Sequence, residues 1–154
     1  MIRTIISLLF IFISIQNSYS EGYIKADEGI EWDSENKTYT AIGNVVFKNE
    51  NIEAKTNKMI AKYIEENNKE VFTVVEFFEN IAIYFKDETF KGDYAIYTKE
   101  NNIIKINGNV SIDSPTRILT GDELIVDLDN NKRTLNSSAK ESIVEVLIDS
   151  NANN

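Results

Sequence analysis

Ile104-Lys105-Ile106-Asn107-Gly108-Asn109-Val110-Ser111-Ile112 sets Ile104, Ile106, Val110 and Ile112 on one parity and Lys105, Asn107, Asn109 and Ser111 on the other. That is the period of a β-strand with one apolar and one wet face. Gly108 falls on the apolar side, where a missing side chain permits a bulge that turns a strand around a corner between two sheets. The phrase recurs upstream as Tyr39-Thr40-Ala41-Ile42-Gly43-Asn44-Val45-Val46-Phe47, with Tyr39, Ala41, Val45 and Phe47 on its apolar parity. A weaker third copy has Glu79-Asn80-Ile81 in place of Gly-Asn-Val, flanked by Val75, Phe77, Ile83 and Phe85.

A second phrase alternates with the first: an apolar residue, a spacer, a small residue, a polar Asp or Asn, then more apolar positions. Ile24-Lys25-Ala26-Asp27 leads to Ile30 and Trp32, and Ala54-Lys55-Thr56-Asn57 leads to Met59, Ala61 and Tyr63. Phe90-Lys91-Gly92-Asp93 leads to Tyr94 and Ile96, and Leu119-Thr120-Gly121-Asp122 leads to Leu124, Val126 and Leu128. The polar residues are 30, 36 and 29 positions apart, so the chain is an internal repeat whose unit is one long hairpin. Between the apolar runs lie clusters that bond their own backbone or tolerate positive φ. They are Asp33 to Lys37, Asn49 to Asn51, Glu65 to Asn68, Lys99 to Asn102, Asp113 to Pro115 and Asp129 to Asn131, read as hairpin tips. Lys58 to Glu66 could form two helical turns, but its parity also fits a strand. A last strand is expected over Ile143 to Ile148, followed by a polar tail from Asp149 to Asn154.

The chain has no Cys and no His, which excludes thiolate catalysis, imidazole acid–base chemistry and the commonest zinc sites. No nucleophile–base motif is visible among Ser, Lys, Asp and Glu, so no enzyme is expected. Asp27, Asp93 and Asp122 are separated by strands and lack a clustered acidic loop, so they read as turn or bulge residues rather than metal ligands. No metal and no cofactor are expected. The net charge is −9 with no basic stripe, a surface that repels nucleic acid. Arg3, the apolar run Ile5 to Ile15 and the small residues Ser18 and Ser20 form a secretory leader with cleavage expected after Ser20. The run is 11 residues, against the roughly 20 that a membrane-spanning helix needs. Removing the leader takes away only Arg3, so 15 basic residues face 25 acidic ones, a charge of −10. One domain is expected, over residues 21–148.

Repeated antiparallel strands with one apolar face must roll up or pair face to face, so the expected fold is all-β, a twisted antiparallel jelly roll. The order Ala26-Asp27 then Gly43-Asn44-Val45, and Gly92-Asp93 then Gly108-Asn109-Val110, closed by Gly121-Asp122, resembles the OstA-like/LptA family over about Ile24 to Leu135. The resemblance implies an open-ended roll in the periplasm whose greasy interior cradles lipopolysaccharide or a related glycolipid. It also implies head-to-tail homo-oligomers, bridging an inner-membrane anchored partner to outer-membrane translocon domains of the same fold. The expected lining is Tyr39, Val45, Phe47, Ile81, Ile83, Tyr94, Ile96, Ile104, Ile106, Val110, Ile112, Leu124 and Val126, with Ile24 at the mouth. Two other readings stay open: the membrane-anchored partner of the same pathway, and an exported β-repeat structural module with a dry core.

Overall fold

The computed structural model describes residues 22–137 and 144–148; the expected leader, the first residue of the expected last strand and the polar tail lie outside these. One sheet contains all ten strands: β1 (Gly22–Lys25), β2 (Gly29–Asp33), β3 (Thr38–Asn49), β4 (Glu53–Glu66), β5 (Lys69–Phe85), β6 (Glu88–Thr98), β7 (Ile103–Ser114), β8 (Arg117–Asp127), β9 (Lys132–Asn136) and β10 (Glu145–Ile148). From β3 to β8 the chain runs as an antiparallel meander, each strand bonded to its sequence neighbours. At one end β1 and β2 share β3 as partner, and at the other β9 and β10 share β8. Lys58 to Glu66 belongs to β4, so the strand reading of that ambiguous segment holds.

Each long strand is bent at its middle, and the bends line up as a crease across the sheet. The register breaks between Ile42 and Val45 in β3, between Phe78 and Ile81 in β5 and between Asn107 and Val110 in β7. All three breaks carry left-handed backbone: Gly43 and Asn44 at φ 84 and 42, Glu79 and Asn80 at 64 and 51, Gly108 and Asn109 at 77 and 46. The weak third copy therefore bends like the other two, although Glu79 must take a conformation that favours glycine.

The second phrase supplies the other half of each bend. Asp27 accepts a 2.9 Å hydrogen bond from the Asn44 amide and Asp93 a 2.7 Å bond from that of Asn109. Thr56 fills the small position in β4, is nearly fully buried, and donates its hydroxyl to the Phe78 carbonyl at 2.7 Å. A Cβ on Gly92 would come within 2.3 Å of the Ile106 side chain, so the small residue lets neighbouring strands close at the crease. Asp27 and Asp93 thus serve as crease residues, and Asp122 occupies the equivalent place in β8.

Folding at the crease creates two layers, one running from β2 through β3–β8 to β9, the other from β1 through the same strands to β10. Phe47, from the second layer, lies 5.7 Å from the Phe72 ring and 5.8 Å from that of Phe77 in the first. The hairpin tips of both layers lie away from the crease and meet in offset pairs. Asn51, at the β3–β4 tip, donates to the Tyr97 hydroxyl at 3.2 Å and to Asn102 Oδ1 at 3.0 Å, both beside the β6–β7 tip. Lys86, at the β5–β6 tip, donates to Asn131 Oδ1 at the β8–β9 tip at 3.0 Å. The layers are therefore staggered, as twisted sheets packed face to face must be.

Candidate functional site

Among the described residues, the buried apolar side chains gather on the inner face of the two layers. In β3, β5 and β7 the apolar parity runs unbroken through the crease: Val45 and Phe47, Ile81 and Ile83, and Ile104, Ile106, Val110 and Ile112 all point inward and are buried. Leu124 and Val126 join them from β8. Ile24 and Tyr39 pack against this cluster while keeping part of their surface exposed. Tyr39 sits within an aromatic group at the β2 end, 6.4 Å from the Trp32 ring and 5.3 Å from that of Tyr63.

Two residues of the expected lining face the other way. Tyr94 and Ile96 lie on the outer surface of β6, where the Tyr94 ring is tilted against that of Phe78 at 5.3 Å and its hydroxyl donates to Glu76 at 2.7 Å. Partial burial, then the bond to Glu76, pushes the Tyr94 hydroxyl up to about 12. The physical reason for the correction is the crease. β7 has one residue more than β6 or β8 between the register points on either side of Gly108-Asn109. The even strands therefore change parity just after the small residue: Phe90 and Gly92 point inward on one side of the bend, Ala95 and Tyr97 on the other. Met59 and Ala61 follow Asn57 in the same way, at the spacing of Leu124 and Val126 after Asp122. Ala95, Tyr97, Met59, Ala61, Tyr63, Val75, Phe77 and Phe90 are thus interior residues beyond the expected set.

The apolar face does not stop where the layers stop covering each other. Ile30 and Trp32 pair with Ala41 and Tyr39 and so share the inner face, yet they are 47% and 58% exposed. At the opposite end, in the other layer, Val146 pairs with the inward Leu119 and is 49% exposed. The stagger explains both: the β2 edge of one layer and the β10 edge of the other extend past their partners. Trp32 is held there by a 2.7 Å hydrogen bond from Nε1 to the Tyr63 hydroxyl.

This geometry defines an open-ended antiparallel β-jelly roll whose apolar interior reaches an uncovered edge at each end. Residues 23–132 match the family model described as the LptA/(LptD N-terminal domain) LPS transport protein. The chain belongs to that family of lipopolysaccharide-transport proteins, as the order of its two crease phrases indicates. No curated protein sequence matches. Among solved structures, it is similar to LptH, described as the LptA-homologous periplasmic component of the conserved lipopolysaccharide transport device from Pseudomonas aeruginosa. The identity is 13% and the TM-score 0.69, over 82% of this chain and 94% of that one, a likeness of fold.

Proposed function

We propose that this protein carries lipopolysaccharide or a related glycolipid through the periplasm, as a soluble link between an inner-membrane anchored partner and an outer-membrane translocon. The observation that carries this reading is the continuity of the apolar inner face from Ile30 and Trp32 at one end to Val146 at the other. A dry structural module would gain nothing by leaving such side chains uncovered. Each methylene of an acyl chain buried there contributes about 0.8 kcal/mol, so affinity does not depend on charge. The interior residues Ile83, Val110 and Leu124 are at most 2% exposed, so a chain enters as the layers part at their tips. The crease keeps the two halves of each strand together while they do so.

A photo-crosslinking residue at Ile83, Val110 or Leu124 should capture glycolipid in cells. The same probe at Lys105 or Asn109, on the wet face, should capture none. Equal capture on both faces would end the interior-conduit reading.

The stagger also favours end-to-end assembly. Joining β10 of one copy to β1 of the next continues one layer, and it brings the overhanging β2 edge of the second copy over the uncovered Val146 of the first. Such a contact is heterologous and does not close, so it builds filaments. Both edge strands are short and free of proline, and β1 carries a single Lys. Concentration-dependent oligomers are expected. Successive N–H groups in a strand point to opposite sides, so of Val146→Pro and Leu147→Pro one removes an outward donor. That variant should shorten the oligomers in light scattering while leaving a β-sheet circular dichroism spectrum. A strict monomer at high concentration would remove the bridge but not lipid binding.

A further inference from the structure

On the acidic surface of the described residues, three basic side chains gather at one cleft. Lys86 from the β5–β6 tip, Arg117 from the start of β8 and Arg133 from β9 line a cleft of about 400 Å³, together with Asp87, Glu88 and Pro115. Elsewhere Lys37 is paired with Glu65, Lys48 with Glu53 and Lys91 with Asp113, while Lys25, Lys55 and Lys58 lie singly over aromatic rings. In the cleft the balance is different. Lys86 and Arg133 both donate to the neutral Asn131 Oδ1, at 3.0 and 2.9 Å. Glu88 is shared between Arg133, at 2.5 Å, and Arg117, at 3.8 Å. Nε of Arg133 is buried and without a hydrogen-bond partner.

Arg133 also marks where the apolar interior ends. It pairs with Val126 and so shares the inner face, and its guanidinium lies 5.4 Å from the Phe85 ring and 5.8 Å from that of the fully buried Phe90. Three cations from the β5–β6 tip, the start of β8 and β9 therefore meet at the lip of the hydrophobic layer, held by a guanidinium fixed on aromatic rings. We infer that this cleft binds a phosphate group, either free or as the headgroup of an amphiphile whose chain lies in the interior beside Phe90. A phosphate brings more than one negative charge and several acceptor oxygens, which matches cations that now share one carboxylate and one amide. Its lipid form rests on the lipid-carrier reading above; the phosphate site does not.

The test uses the mature chain with dodecyl phosphate, the uncharged dodecyl maltoside and inorganic phosphate as probes, measured by calorimetry at low and high salt. Dodecyl phosphate should bind at least tenfold more tightly than the maltoside at low salt, with the advantage shrinking as salt rises. Lys86→Gln combined with Arg117→Gln removes two exposed charges, and with Lys86 its 5.0 Å contact to the Phe85 ring, while Arg133 keeps its place beside Phe85 and Phe90. The pair should erase the advantage and leave maltoside binding unchanged, whereas Lys86→Arg with Arg117→Lys should keep it. Equal binding of both amphiphiles by the parent would overturn the phosphate site while leaving lipid carriage intact. Binding of inorganic phosphate that the double variant abolishes, with neither amphiphile bound, would support the site as one for free phosphate and count against lipid carriage. No binding of any probe would overturn both.

Discussion

Phe47→Ala should lower the unfolding free energy by about 3–5 kcal/mol, the cost of deleting a fully buried ring and leaving a cavity that neighbours only partly fill. Phe47 has no exposed surface, and its edge-to-face contacts with Phe72 and Phe77 cross from one layer to the other. Domains of this kind have roughly 5–15 kcal/mol in all, so the variant would be near the limit of folding. Urea denaturation is the measurement, with the midpoint falling and the slope held if only stability changes. Phe78→Ala is the matching control. Its ring lies on the outer face beside Tyr94, 5.3 Å away, and bridges no layers. A loss at Phe47 no greater than at Phe78 would mean that the layers are held by something other than their aromatic contacts.

Most of this architecture was legible because the two crease phrases are physical necessities written in residue types. Gly43, Gly108 and the asparagines after them stand where φ is positive, and Asp27 and Asp93 stand where a carboxylate can take the asparagine amide across the bend. Glu79-Asn80 could be placed only by its position in the repeat, since glutamate gives no hint of left-handed backbone. Which side chains face inward was legible wherever parity runs straight through the crease, in β3, β5 and β7. It was not legible within β6 alone, where the phrase Gly92-Asp93 reads on to Tyr94 and Ile96 but Ala95 and Tyr97 are the buried pair. The correct answer was present in the sequence: Leu124 and Val126 sit two and four residues after Asp122, and the same offsets from Asp93 give Ala95 and Tyr97. The cluster of Lys86, Arg117 and Arg133 was not legible. Its members are far apart in the chain, and the stagger of the layers, a property of sheet twist, brings their turns together. The stagger likewise leaves Ile30, Trp32 and Val146 uncovered; alternation alone assigns them to the inner face but cannot say which part of that face is covered.

Gly108→Val should cost roughly 2–4 kcal/mol, with a fall in melting temperature of about 10 °C. Two effects combine. At φ 77 a side chain on residue 108 is strained whatever space it has, and a β-branched one most of all. A Cβ there would also come within 2.5 Å of Asp93 Oδ2, the oxygen that accepts the hydrogen bond from Asn109. The substitution therefore strikes both halves of the crease, the bend and the carboxylate–amide pair that spans it. A double-mutant cycle separates them. Gly108→Ala keeps the strain and the clash, and Asp93→Ala removes the 2.5 Å contact with Oδ2 along with the hydrogen bond, so the two together should cost less than the sum of the singles. Strictly additive losses would leave backbone strain as the whole effect. A Gly108→Val variant that melts like the parent would mean that β7 does not need left-handed backbone at this point, and the crease would lose its place as the element that folds one sheet into two layers.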